Sequence, residues 1–268
     1  MPVAVFFVLA CALSWAAWLP LLLWQQHWLV HQPSQYWHLA GGLGPAAAAI
    51  VVSGAYGGRD ECRRLLQRAI AWRVPARWHL IAWLSPVALF GVAAAALVAT
   101  GVTWDLKTFG RSLEYPELPV AVYWLASIVC YGFGEEIGWR GFALPRLQHG
   151  RSALTATLLL SVFWAFWHLP LFGFAPGLSR MDGLEIAGWY FSLVTGAILF
   201  TWLFNSTRGS VLIVAVFHGT MDIAFVSPAP PLLSSVVGAL VTMWGLAVLV
   251  MAGPRSLSRS GTMVSRRR

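Results

Sequence analysis

The sequence predicts an all-α polytopic membrane protein, a bundle of about eight transmembrane helices with both termini in the cytoplasm. Hydrophobic residues make up 58% of the 268 residues and charged residues only 10%, whereas a soluble domain carries about 25% charged residues. Runs of about 18 to 25 apolar residues recur along the chain, and runs of that length cross a bilayer as helices. Composition and run length together argue against a soluble domain.

Eight apolar runs give the helix count. Because no soluble domain lies between them, we predict one transmembrane domain over 1–252, with a motif-bearing core at about 119–226 and a basic cytoplasmic tail at 253–268. The first run is longer than the hydrophobic part of a signal peptide and lacks a basic flank, which favours a retained helix. The predicted spans are 3–24, 38–56, 78–100, 119–139 (extending toward 149), 152–170, 186–205, 209–226 and 232–252.

The arginines predict the orientation of the bundle. With these spans, 15 of the 18 basic residues fall on one side of the membrane, six of them in 59–77. Basic residues are enriched on the cytoplasmic side of membrane proteins, so we expect the side with 15 basic residues to face the cytoplasm. We expect a multi-pass protein of a prokaryotic cytoplasmic membrane. The segment 59–77 is also expected to lie on anionic lipid as an amphipathic helix, and the polar tail to be disordered. The net charge of +8 then follows from topology and gives little reason to expect nucleic acid as a partner.

Three ionisable residues interrupt the fourth apolar span, in the stretch YGFGEEIGWRGFALPRL. Burying a carboxylate in apolar surroundings costs several kcal/mol, roughly, unless it is paired, protonated or functional. Glu136 and Arg140 are four residues apart, so on a helix they can form an ion pair. Glu135 lies about 100° around the helix from Glu136 and is left without that partner. A structural role is therefore plausible for the pair and less plausible for Glu135.

Two further spans carry polar residues at a similar depth. His168 ends the apolar part of SVFWAFWHLP, while His218 and Asp222 are four residues apart in VAVFHGTMD. At about 1.5 Å per residue the depths of the three helices overlap, so their polar groups can face one cavity. The structural alternatives are a helix-end histidine bonded to a carbonyl for His168 and an interhelical polar contact for His218 with Asp222. Taken together, the residue types are those of a hydrolytic or proton-handling site.

Three motifs carry a family resemblance. EEIGWR has the form Glu-Glu-x-x-x-Arg, WHLP supplies a histidine motif, and HGTMD has the form His-x-x-x-Asp/Asn. In this order, each on an apolar segment, they resemble the motifs of the CAAX prenyl protease and bacteriocin-processing (CPBP, abortive-infection type) family of intramembrane proteases. The resemblance covers about 119–226 at motif level.

The resemblance implies roles for individual residues. Glu135 and His168 would activate water, His218 and Asp222 would stabilise the oxyanion, and Glu136 with Arg140 would brace the site. The sequence departs from the family pattern at Trp164, where the family often has Phe, and at Asp222, where it often has Asn. Because an ionised Asp cannot donate a hydrogen bond, Asp222 would either hold His218 in its protonated form or be protonated itself.

The expected function is that of a glutamate-type intramembrane endopeptidase acting on a hydrophobic, prenylated (CAAX-like) or bacteriocin-type peptide. Its expected partners are that substrate and membrane lipids. One alternative is a zinc-dependent version of the same protease, with Glu135, His168 and His218 as the metal ligands. No cofactor is favoured, because the chain has no His-Glu-x-x-His helix. The other alternative, from a different class, is a non-catalytic membrane scaffold or immunity protein.

Overall fold

A computed structural model describes residues 2–265, and all the regular structure in that range is helical. Seven of its helical segments are long and apolar enough to cross a membrane, which confirms the predicted fold class. Which terminus faces which side stays a prediction from the arginines. The helices are α1 (Pro2–Gln25), α2 (Tyr36–Gly42), α3 (Gly44–Ala69), α4 (Ala76–Ala99), α5 (Val120–Leu147), α6 (Ala153–Trp167), α7 (Gly183–Ser206), α8 (Val211–Val226) and α9 (Pro231–Ala252).

Helix α8 corresponds to the predicted span 209–226 and is shorter than a membrane-spanning helix. Its 16 residues extend about 24 Å, less than the roughly 30 Å of a bilayer's hydrocarbon core. Twelve of the 16 are buried, because α8 packs chiefly against α4 and α5. Seven of the eight predicted spans are thus long enough to cross a membrane, and the predicted span 209–226 is a shorter, largely buried helix. His218 and Thr220 on α8 are buried within the protein, whereas the side chain of Asp222 is 30% exposed.

Helix α5 combines two kinds of helical geometry. Two π-helical segments, Ser127–Phe133 and Ile137–Ala143, flank a short α-helical turn at Gly134–Glu136. Wider π-turns are rare and occur frequently at functional sites, where they change the direction of neighbouring side chains. Both carboxylates of the first motif lie on the turn between the two segments.

Glycines bring α5 and α8 into backbone contact. A Cβ atom on Gly132 would overlap the carbonyl oxygen of Ala215, and one on Gly219 would lie 2.6 Å from the Cα atom of Ile128. Because neither glycine has a side chain, the two helices approach more closely than larger residues would permit. This approach sets the distance across which polar side chains of α5 and α8 can interact.

The basic segment 59–77 is anchored to the protein on one face. A kink at Gly58, with φ of +63°, separates the first part of α3 from its last turns. In those turns Arg68 donates to the carbonyl oxygen of Gly141 at 2.7 Å, and the buried Glu61 pairs with arginines on α3 and α5. From the sequence, this segment is expected to lie on the lipid surface. In the structure, its inner face is bonded to the end of α5.

The tail is held against the bundle, so the expectation of disorder is wrong for 253–265. Asn205 on α7 donates to the carbonyl oxygen of Ser256, and Gln148 donates to that of Val264, both at 2.8 Å. Asn205 and Gln148 are completely buried and bond to each other, so the tail is fixed to a buried polar pair. The three C-terminal residues lie outside the described range.

The close approach of α5 and α8 predicts a difference between two glycine substitutions. Gly132→Ala should reduce thermal stability and folded yield, by about 1–3 kcal/mol, because its methyl group meets backbone of the facing helix. Gly188→Ala on α7 is the matched control, since a Cβ atom there meets nothing within 4 Å. Thermal unfolding of both variants in the same detergent measures the difference. Equal stability of the two would contradict the backbone contact.

Candidate active site

The buried carboxylate of Glu136 joins two helices. Its Oε1 atom accepts a hydrogen bond from Nη1 of Arg140, one turn along α5, and another from Nδ1 of His218 on α8, both at 2.8 Å. A carboxylate oxygen can only accept, so Nδ1 carries the proton in the neutral form of His218. Glu136 thereby fixes the ring's tautomer and directs Nε2 away from itself.

Arg140 is enclosed by aromatic rings. Its guanidinium carbon lies 4.5 Å from the centroid of Trp164 and 4.5 Å from that of Phe200, and the side chain is completely buried. Within residues 2–265 its Nε and Nη2 atoms find no hydrogen-bond acceptor. Attraction to the two ring faces, about 2 kcal/mol each when desolvated, offsets part of that cost. Arg140 is thus held by one ion pair and two aromatic contacts.

Glu135 has partners that the sequence interpretation missed. Its Oε2 atom accepts a hydrogen bond from Nε1 of Trp164 at 2.7 Å and another from Nε1 of Trp139 at 3.2 Å. Trp139 follows Glu135 by four residues, so its spacing was a usable signal. At Trp164, the departure from the Phe of the family pattern adds an indole donor. Glu135, which lacks the Arg140 partner, is therefore compensated by two indole N–H groups.

A gap separates His218 from two carboxylates. Nε2 of His218 lies 4.0 Å from Oε1 of Glu135 and 3.7 Å from Oδ1 of Asp222. Both distances exceed the usual hydrogen-bond range of about 2.7–3.2 Å and fit a bridging oxygen of a water molecule or substrate. The side chain of Asp222 is 30% exposed, against 5% for that of Glu135. The structure brings these three predicted residues together.

His168 lies beside this group without bonding to it. It caps α6, and its Nδ1 atom donates to the carbonyl oxygen of Trp164 at 2.7 Å. The geometry is that of the helix-end histidine considered as the structural alternative. No hydrogen bond or ion pair from His168 to Glu135 or His218 is found within residues 2–265. His168 is connected to the site through Trp164, whose ring it contacts.

The zinc alternative would require three ligands around one point. Across the described residues, no group of three or more His, Cys, Asp or Glu side chains is placed to hold a metal ion. The set of Glu135, His168 and His218 is not such a group in the part of the chain that the structure describes.

These features define an integral multi-pass membrane protein with a carboxylate–histidine site enclosed by its helices. Residues 117–224 match the family described as type II CAAX prenyl endopeptidase, Rce1-like. A stretch of 37 residues is 49% identical to a protein named CAAX prenyl protease 2 from Methanococcus maripaludis. The resemblance to CAAX-type membrane proteases that the three motifs predicted is thus confirmed over the motif-bearing core.

The matched regions are limited in extent. The 37-residue stretch is 14% of this chain and 14% of the Methanococcus protein. The family match covers the fourth to seventh predicted spans, including every predicted site residue. The comparisons therefore point to a CAAX-type membrane protease, and the activity of the whole chain is a matter for proposal.

The buried ion pair predicts a large effect of Arg140→Ala on folding. Removing the guanidinium leaves Glu136 charged in the interior, which costs about 3–5 kcal/mol. Arg64→Ala is the matched control, because Arg64 pairs with Glu61 while its side chain is 55% exposed, and such pairs contribute about 0–1 kcal/mol. Folded yield and thermal unfolding measure both. A stable but inactive Arg140→Ala protein would instead indicate a direct role in substrate binding.

Proposed function

We propose that this protein is an intramembrane endopeptidase of the CAAX protease type, hydrolysing a peptide bond with water activated by Glu135. The observation that carries the proposal is the 4.0 Å separation between Oε1 of Glu135 and Nε2 of His218. A water or substrate oxygen beside this gap, off the line that joins the two atoms, can contact the proton acceptor Oε1 and the imidazole nitrogen Nε2 at about 2.8 Å each. That is the arrangement that general-base hydrolysis requires.

The first step is attack on the scissile carbonyl. Oε1 of Glu135 takes a proton from water while the water oxygen bonds to the carbonyl carbon, and the carbonyl oxygen becomes an oxyanion. His218 donates to this oxyanion from Nε2 when the ring carries both protons. Glu136, Glu135 and Asp222 surround the ring and stabilise its cationic form by Coulomb attraction, which is strong in a water-poor interior.

The second step is collapse of the tetrahedral intermediate. The carbon–nitrogen bond breaks, the carbonyl reforms as a carboxyl group, and the proton held by Glu135 passes to the leaving amine. Glu135 ends the cycle ionised, ready for another water molecule. Glu136 and Arg140 do not touch the reacting atoms in this scheme. Glu136 holds His218 in position, and Arg140 pairs with Glu136.

His168 and Asp222 assist the reaction, while Glu135 takes the proton of water. The bond from Nδ1 of His168 to a backbone carbonyl leaves Nε2 as an acceptor for the second hydrogen of the attacking water, as the family resemblance implies. Asp222 lies too far from Nε2 of His218 for a direct hydrogen bond. We assign ionised Asp222 an electrostatic role, favouring protonated His218, because an ionised carboxylate cannot donate a hydrogen bond to the oxyanion.

The setting of the site suggests the substrate class. Glu135 and His218 are buried among apolar helices, so a substrate with an apolar or lipidated segment reaches them from the bilayer more readily than a soluble peptide. The relative's name, CAAX prenyl protease 2, supports a prenylated peptide. A bacteriocin-type hydrophobic peptide is the second candidate of the same chemistry. Surrounding lipids are the expected partners in a prokaryotic cytoplasmic membrane.

The general-base role predicts that Glu135→Gln abolishes cleavage. The amide keeps the shape of the side chain but cannot take a proton from water, so we expect kcat to fall by about 100-fold or more with normal insertion into the membrane. Glu117→Gln is the control, because Glu117 is a loop carboxylate bonded to Tyr36. Cleavage of a prenylated fluorogenic peptide in proteoliposomes measures both. Full activity of Glu135→Gln would rule out this assignment and favour a non-catalytic scaffold.

The metal-free mechanism predicts that chelators leave cleavage unchanged. Protein purified without added metal should retain its rate after EDTA or 1,10-phenanthroline treatment, and His168→Ala should lower kcat in both conditions. Elemental analysis accompanies the rate measurement. Stoichiometric zinc, with activity lost on its removal and restored on its return, would contradict the mechanism and support the zinc-dependent alternative.

A further inference from the structure

We propose that Trp164 and Trp139 are positioning residues that clamp one oxygen of Glu135, so that the other oxygen alone accepts the proton of water. The inference rests on the proposed general-base role of Glu135. It adds two residues from two helices, neither of them among the residues that the motifs implicate in catalysis.

Both indoles donate to the same atom. Nε1 of Trp164, on α6, lies 2.7 Å from Oε2 of Glu135, and Nε1 of Trp139, on α5, lies 3.2 Å from it. Both tryptophans are buried, with exposures of 6% and 0%, so water does not compete for these donors. Hydrogen bonds to an ionised acceptor in such surroundings are stronger than those between neutral groups.

The clamp makes the two oxygens of Glu135 unequal. A carboxylate terminus rotates through a broad, two-fold torsional range, so an unrestrained Glu135 would exchange its oxygens freely. Two donors on Oε2 reduce the basicity of that atom and fix the plane of the group. Oε1 then stays directed toward Nε2 of His218, where the attacking water is placed in the proposed mechanism.

The clamp also keeps the gap open. A carboxylate and a histidine this close attract each other, and a direct ion pair at about 2.8 Å would exclude the water. Because Oε2 is bonded to the two indoles, Glu135 is held with Oε1 4.0 Å from Nε2. Trp164 is itself immobilised, since one face packs on Arg140 and its ring meets that of His218 edge-on at 5.7 Å.

Charged and titratable groups around Glu135 come from three helices: Glu136 and Arg140 on α5, His168 at the end of α6, and His218 with Asp222 on α8. None of them donates a hydrogen bond to Oε2 within residues 2–265. The two indoles are the donors that determine its position in that part of the chain.

The test is the substitution Trp164→Phe, which keeps an aromatic ring against Arg140 and removes the N–H donor. We expect kcat for a prenylated fluorogenic peptide to fall about 10- to 100-fold with KM unchanged, because the base is misplaced while substrate binding is not. The double variant Trp139→Phe, Trp164→Phe should approach the rate of Glu135→Gln. Thermal unfolding of each variant shows whether it is folded.

Trp167→Phe is the matched control. Trp167 is a buried neighbour of similar size whose Nε1 atom has no acceptor within residues 2–265, so losing its N–H removes no hydrogen bond. We expect its kcat to stay within about three-fold of the wild-type value. A kcat for Trp164→Phe equal to that of Trp167→Phe, or a loss confined to KM, would overturn the clamp.

A second measurement does not depend on activity. In ¹⁵N-labelled protein, the indole N–H resonances of Trp139 and Trp164 should move upfield in Glu135→Leu, because they lose a charged acceptor, while that of Trp167 stays in place. Resonances of Trp139 and Trp164 that do not respond to Glu135→Leu would overturn the clamp. If wild-type protein cleaves no hydrophobic or prenylated peptide, the proposed function fails, and the resonances still decide the clamp.

Discussion

One oxygen atom, Oε1 of Glu136, organises the site. It accepts hydrogen bonds from Arg140 on α5 and from His218 on α8, in an interior where the side chain is inaccessible to water. A buried carboxylate with only one of these donors would be poorly compensated, and a buried guanidinium without the carboxylate still more so. The two helices, the tautomer of the histidine and the direction of its Nε2 atom all depend on this shared acceptor.

The rest of the fold makes that contact possible. Gly132 and Gly219 permit backbone contact between α5 and α8, and the α-helical turn Gly134–Glu136 places the two consecutive glutamates about 100° apart around the helix. Glu136 turns to His218 and Arg140, while Glu135 turns to the indoles of Trp164 and Trp139. The two adjacent carboxylates therefore differ in function: Glu136 holds His218 in position, and Glu135 is the proposed general base.

The sequence predicted the features that depend on local spacing and composition. Apolar run length gave the helical class, and four-residue spacing gave the pairing of Glu136 with Arg140, because these follow from helix geometry. The bond from His218 to Glu136 joins residues 82 apart, so no local pattern contained it. The π-segments and the burial of α8 likewise depend on packing between helices. The docking of the tail was missed because its composition resembles that of a disordered segment, while Gln148 and Asn205 supply the bonds from elsewhere.

Arg140 and His218 are coupled through one atom of Glu136. A double-mutant cycle on unfolding free energy, by steric trapping in bicelles, measures this coupling with Arg140→Met, His218→Gln and the double variant. Because both donors bind the same oxygen, we expect that the two effects are not additive, with a coupling energy of about 1 kcal/mol or more. Additive effects, within about 0.5 kcal/mol, would contradict the shared acceptor and with it the proposed arrangement of the site.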